Sequence, residues 1–214
     1  MIIDHLKVGF FQENCYILYK NEDLSESQKA LVVDPGDEGD RIADYLVKNN
    51  LELDRILLTH GHIDHVSALE YLAGISDSDV LLHEDDLWLY NGIEKQADFF
   101  GMPAVKLPAI SQSLKHGDEI YFSNSLIKVI HTPGHTPGSV CYHFPDEKIL
   151  LTGDTLFHGS VGRSDFPGGD GQSLGQSIRE RLLVLDDAVR IYPGHMGDST
   201  IGTEKKSNPF VNML

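Results

Sequence analysis

The sequence predicts a mixed α/β (α+β) fold, and three observations carry that reading. Short apolar runs rich in β-branched residues recur along the chain, and several of them end in a tight glycine turn. Between them lie segments whose apolar residues repeat at helical spacing. Two turns, Pro133-Gly134-His135 and Pro193-Gly194-His195, share one pattern and hint at two similar halves.

In chain order, Ile2 and Ile3 with Leu6 and Val8, then residues 15–19 and 30–33, favour strands. Asp34-Pro35-Gly36 closes the third run as a turn. Residues 37–50 place Ile42, Tyr45 and Leu46 at helical spacing and end in asparagines, so a helix is expected there. Ile56-Leu57-Leu58 reads as a short buried strand. A helix is expected to start at Asp64 or His65, run through Val66, Leu69 and Leu72, and close at Gly74. Residues 79–83 form another strand. Residues 84–113 mix aromatic residues with prolines and give no clear period. Strands follow at 119–122, 126–131, 139–144 and 148–151. Leu174, Ile178, Leu182 and Leu185 then mark a helix, and residues 188–192 a final strand.

At 214 residues the chain fits one large domain or two small ones, and its 41% hydrophobic content supports a real core. There is no Gly/Ser tract, long charge block or obvious repeat. No apolar run approaches the roughly 18 to 20 residues of a membrane span. The N-terminus lacks the basic start and apolar core of a signal peptide. Cys15 and Cys141 both lie in apolar, strand-like surroundings and read as buried small hydrophobes. Together these features predict a cytoplasmic protein without a membrane partner. The formal charge of −16 repels phosphate backbones and argues against a nucleic-acid partner.

The densest chemistry lies at His60-Gly61-His62-Ile63-Asp64-His65, directly after the apolar run 56–58. Histidine and carboxylate together suit zinc, iron or manganese. A single helix does not bring all four side chains to one face, because only neighbours three or four apart share one. A loop leaving a strand end can. With 11 histidines in the chain, a chance cluster is the bland alternative. Matching parts downstream argue against it: His135, Asp154 and His195 each follow a β-rich run and a glycine-containing turn.

His-x-His-x-Asp-His, a lone His, a lone Asp after Thr-Gly and a last His after Pro-Gly resemble the metallo-β-lactamase superfamily pattern, and the set is similar to that of glyoxalase II, a hydroxyacylglutathione hydrolase. Asn14-Cys15-Tyr16-Ile17-Leu18, the run Gly162-Arg163-Ser164-Asp165-Phe166-Pro167-Gly168-Gly169-Asp170, Thr200-Ile201-Gly202 and Asn208-Pro209-Phe210 resemble the short bacterial members of that group. The resemblance implies a four-layer αβ/βα sandwich and a single domain over residues 1–214, lacking the helical C-terminal domain of glyoxalase II. It also implies that residues 84–113 overlie the active site. His60, His62 and His135 would hold one cation, Asp64, His65 and His195 a second, and Asp154 would bridge them. Zinc is the expected metal, with iron and manganese also suited. Asp34 and Thr59 are expected to orient ligand imidazoles. Arg163 is expected either to meet a substrate carboxylate or to pair with Asp165. Met196 departs from the family, in which glycine often follows the last histidine. The remaining histidines, His5, His83, His116, His131, His143 and His158, match no ligand position.

By formal counting, two divalent cations outweigh two aspartates and a hydroxide, and the residual positive field lowers the pKa of bound water toward about 7. The implied reaction is attack of a bridging hydroxide on an acyl carbon, with Asp64 handling protons. The implied substrate is a small thioester such as S-lactoylglutathione. A thiolate leaves with little acid assistance. The alternative is a persulfide dioxygenase, which shares nearly all these motifs and holds one iron on residues matching His60, His135 and Asp154. Hydrolysis of lactones or other esters, and a metal-stabilised interaction domain without catalysis, are further readings.

Overall fold

The computed structural model describes residues 1–20 and 27–213. The chain forms two compact units: residues Met1–Leu82 with Leu87–Ser113, and residues His83–Asp86 with Leu114–Leu214.

The first unit is built on a six-stranded mixed sheet of β1 (Ile2–Val8), β2 (Glu13–Tyr19), β3 (Gln28–Val33), β4 (Leu51–Leu57), β5 (Asp79–His83) and β6 (Gln112–Leu114), in that spatial order. β1, β2 and β3 pair antiparallel, whereas β3, β4 and β5 run parallel. Parallel neighbours need a crossover. Helix α1 (Gly39–Lys48) supplies the first, and α2 (Ile63–Val66) with α3 (Leu69–Ile75) the second. The core of this unit gathers Ile17, Val32, Ile42, Ile56, Leu58, Leu69 and Leu72, all essentially inaccessible to solvent. Truncating such a side chain to alanine costs about 2–5 kcal/mol.

The helix expected near residue 64 begins one residue earlier, at Ile63, and breaks at Ser67, whose hydroxyl donates to the Ile63 carbonyl (2.6 Å). Gly74 does not close it. α3 runs on to Ile75, and the Ser76 amide and hydroxyl both donate to the Leu72 carbonyl. Within the stretch that gave no clear period, α4 (Leu87–Asn91) and α5 (Ile93–Phe100) belong to this unit.

The second unit carries a six-stranded sheet in the order β14-β13-β10-β9-β8-β7. β7 (Glu119–Phe122), β8 (Ser125–His131), β9 (Val140–Phe144) and β10 (Ile149–Gly153) form an antiparallel meander. A separate small hairpin, β11 (Leu156–Phe157) and β12 (Ser160–Val161), follows. Helix α6 (Gly171–Ser177) then leads to β13 (Arg190–Pro193), which lies parallel to β10; β14 (Ser199–Thr200) and α7 (Ile201–Ser207) complete the unit. The helix expected through Leu185 is shorter. After α6 the chain widens into a π-type turn over Ile178–Leu182, closed by the Leu183 amide donating to the Ile178 carbonyl (2.9 Å).

Two of the parallel pairs, β3 with β4 and β10 with β13, contain a one-residue register shift. Ala30 faces Leu53 and Leu31 faces Arg55, so Asp54 is the extra residue of β4. Leu151 faces Tyr192 and Gly153 faces Pro193, so Thr152 is the extra residue of β10.

Candidate metal centre

In the first unit, β3 and β4 end side by side at Val33 and Leu57. Asp34 follows one strand and the histidine loop the other. The Asp34 carboxylate accepts from the Thr59 amide (2.7 Å) and the Thr59 hydroxyl (2.6 Å), and lies 3.1 Å from His65 Nδ1. The Thr59 hydroxyl is 3.0 Å from His60 Nδ1. With Nδ1 engaged in this way, Nε2 is the nitrogen each imidazole turns toward a cation. His60, His62 and His65 are buried, and the His60 ring centroid lies 4.8 Å from that of His62 and 4.1 Å from that of His65. Asp64 and His65 sit in the first turn of α2, where Asp64 Oδ2 is 3.9 Å from His65 Nε2.

One side chain and one backbone carbonyl from other elements fasten this loop and the helices after it. Gln96 on α5 accepts from the Ile63 amide (3.0 Å) and donates to the Gly61 carbonyl (3.1 Å) and the Leu89 carbonyl (2.9 Å). Pro35 accepts from the Ala68 amide (3.0 Å), which draws the Asp34-Pro35-Gly36 turn against the start of α3. The approach is so close that a Cβ on Gly36 would fall 1.8 Å from the Asp64 carbonyl oxygen. Only glycine fits there.

In the second unit, β10 and β13 end side by side, and the Gly194 amide donates to the Gly153 carbonyl (2.9 Å). Asp154 follows the first strand and His195 the second. Asp154 Oδ2 lies 3.6 Å from His135 Nε2 and 3.6 Å from His195 Nε2. These spacings exceed hydrogen-bond length. They match the separation of two donors that each reach one cation at about 2.0–2.2 Å, which places them roughly 3–4 Å apart. The donor chemistry therefore fits a divalent ion. His135 Nδ1 is 2.7 Å from the Arg163 carbonyl, which fixes its tautomer. The turn after His135 is held by buried Asp86, which accepts from the Thr136 hydroxyl (2.7 Å) and the Gly138 amide (2.6 Å). A Cβ on Gly162 would fall 1.8 Å from the Asp154 carbonyl oxygen, so this contact also requires glycine. Phe157 stands edge-on to the His195 ring, 6.2 Å between centroids.

His60, His62, Asp64 and His65 thus share one loop of the first unit, and His135, Asp154 and His195 converge in the second. Asp34 and Thr59 stand where the sequence places them, behind the imidazoles. The exposed Arg163 guanidinium pairs in bidentate fashion with Asp165 (2.7 Å for each bond) and lies 3.7 Å over the Phe166 ring. Met196 adopts φ 71°, the left-handed conformation in which glycine is at ease. Sequence reasoning missed Gln96, Asp86 and the Arg163 carbonyl. The first two lie in the stretch without periodicity, and a backbone carbonyl leaves no trace in residue identity. Neither cysteine competes as a nucleophile: both are buried, and burial pushes the Cys141 thiol up to about 11 and raises Cys15 as well.

Residues 8–195 match the sequence profile of the metallo-β-lactamase superfamily. The chain is 37% identical over 214 residues to a protein of Haemophilus influenzae named hydroxyacylglutathione hydrolase GloC, covering 99% of each. Among solved structures, TTHA1623 in a di-iron-bound form superposes with a TM-score of 0.87 at 37% identity, over 97% of this chain and 99% of that one. BLEG-1, a B3 metallo-β-lactamase, superposes with a TM-score of 0.89 at 32% identity, over 98% and 99%. With its two mixed sheets, its clustered His and Asp donors and these full-length similarities, the chain belongs to the metallo-β-lactamase superfamily of metal-dependent hydrolases.

Proposed function

We propose that the chain hydrolyses small thioesters, S-lactoylglutathione among them, at a centre of two divalent cations. His60, His62 and His135 would hold one cation, Asp64, His65 and His195 the other, and Asp154 both. Zinc is the metal proposed, although the same donors suit iron and manganese. The observation that carries the thioester reading is the full-length similarity to the hydroxyacylglutathione hydrolase of Haemophilus influenzae. The Asp154 carboxylate at one distance from two imidazoles supports the bridging role.

Cations held by these residues would supply an acidified water and a Lewis acid for the acyl carbonyl. Asp34 with Thr59 orients His60 and His65, and the Arg163 carbonyl orients His135. Asp64, partly exposed beside His65, would accept a proton from the water activated there. A thiol with a pKa near 8.5 departs as its anion without a dedicated acid. The exposed Arg163 guanidinium is free to meet a substrate carboxylate in exchange for Asp165. The net charge of −16 argues against nucleic-acid substrates. No helix among the described residues is long and apolar enough to cross a membrane. The two free, buried cysteines suit a reducing cytoplasm.

The test is the metal content of protein purified without added metal, followed by turnover of S-lactoylglutathione. Two cations per chain with thioester turnover are expected. One iron with oxygen uptake on glutathione persulfide would sink the hydrolase reading in favour of a dioxygenase. Cleavage of a β-lactam without thioester turnover would overturn the substrate class.

A further inference from the structure

A second group of metal-ligating side chains stands in the second unit, built from residues that match none of the seven ligand positions. His83 ends β5, Asp85 lies in the turn after it, and His131 ends β8. The His83 and His131 rings are stacked, with centroids 4.0 Å apart and planes inclined by 14°. Asp85 Oδ2 lies 3.7 Å from His83 Nδ1 and 3.9 Å from His131 Nε2. One donor atom from each of the three lies within 4.8 Å of the others.

We propose that His83, Asp85 and His131 form a further binding site for a borderline divalent transition ion such as Zn²⁺, Ni²⁺ or Cu²⁺. Two imidazoles and one carboxylate are a donor set these ions accept. Hard ions such as Mg²⁺ and Ca²⁺ prefer all-oxygen shells and are disfavoured. His83 is buried and anchors one ring of the stack in the fold, while Asp85 is exposed and opens the site to solvent. Burial also favours the neutral form of His83, the form that ligates, and acidic Glu84, Asp85 and Asp118 stand near enough to act on its charge. Binding exchanges two existing bonds. The Asp85 amide now donates to His83 Nδ1 (3.2 Å), and His131 Nε2 lies 2.8 Å from the Pro137 carbonyl. The backbone at His131 is held independently, its amide donating to His116 Nδ1 (3.3 Å) and its carbonyl accepting from Arg181. Three protein donors leave a fourth position on a tetrahedral ion for water, so the site is exchangeable from solution.

This site does not depend on the proposed reaction, and its test reads binding rather than turnover. Protein loaded with two Zn²⁺ per chain, the number the proposed centre takes, is titrated with Cu²⁺, followed by calorimetry and by electron paramagnetic resonance. The expected result is one further Cu²⁺ per chain with nitrogen hyperfine structure from two imidazoles. H131A is expected to abolish that signal, and D85A, at an exposed position, to weaken binding by about tenfold or more. H83A removes a buried side chain, so its folding is checked by circular dichroism; if it does not fold, D85A and H131A decide the outcome. No further equivalent in the wild type, or equal uptake by wild type, D85A and H131A, would overturn the proposal.

Discussion

In the first unit, Asp34 leaves the end of β3 beside the loop that follows β4; in the second, Asp154 leaves the end of β10 beside the loop that follows β13. The topology is the same, and ligands commonly collect at the carboxyl ends of parallel strands. A glycine stands in close contact in both, Gly36 under the Asp64 carbonyl and Gly162 under the Asp154 carbonyl. The carboxylates nevertheless do different work. Asp34 sits 2.6–3.1 Å from Thr59 and His65, within bonding range of protons. Asp154 sits 3.6 Å from His135 and His195, the range of donors facing a common cation. About half an ångström separates a spacing suited to orienting an imidazole from one suited to sharing a cation with it.

That contrast can be broken by substitution, beginning with the largest effect. Asp154→Ala is expected to abolish activity and to lower the bound metal measured by mass spectrometry, since it removes the carboxylate proposed to be shared by the two cations. Gly36→Ala and Gly162→Ala force a Cβ into a carbonyl oxygen at 1.8 Å, and both are expected to destabilise the fold by about 1–3 kcal/mol or more in chemical denaturation. If only one does so, the two turns are not equivalent. Asp34→Asn keeps the shape and tolerates the positive φ of that residue, yet turns one acceptor into a donor. It is expected to weaken metal affinity by about 10–100-fold with little loss of fold, measured by competition with a chelator. Equal losses for Asp34→Asn and Asp154→Ala would erase the distinction. Gln96→Ala removes bonds to two backbone groups of the histidine loop and should cost about 1–3 kcal/mol, with faster amide exchange at Ile63. Smallest, and opposite in sign, Met196→Gly relieves a left-handed residue beside His195 and is expected to raise stability by about 1 kcal/mol in thermal melts.

The strands were legible because their apolar residues are contiguous and β-branched. The seven proposed ligands were read from their settings: the histidine loop directly follows the run 56–58, and His135, Asp154 and His195 each follow a run and a glycine-containing turn. Asp34 and Thr59 were legible as neighbours of those turns. What sequence did not reveal are the fasteners from a distance. Residues 84–113 hide Asp86, which holds the turn after His135, and Gln96, which holds the histidine loop. Each works through one polar side chain meeting groups far away in sequence, a pattern with no period. Helix boundaries failed for a related reason. Ser67 and Ser76 bond back to carbonyls four residues earlier and decide where α2 and α3 stop, although Gly74 carried the stronger local signal. Likewise, α7 is short and polar on most of its length, and its place is set by buried Glu204, which accepts from the Gly159 amide, the Ser199 hydroxyl and the Asn208 side chain.

The extra residue Thr152 has a consequence for insertions and deletions. Side chains along a strand alternate sides, so a one-residue slip sends every later side chain to the opposite face. The shift at Thr152 sits two positions before Asp154 and sets its parity. Deleting Thr152 would therefore turn the Asp154 carboxylate away from His135 and His195 while leaving composition almost untouched. Changes of length between residues 151 and 154 are expected to move Asp154, whose place depends on that one extra residue.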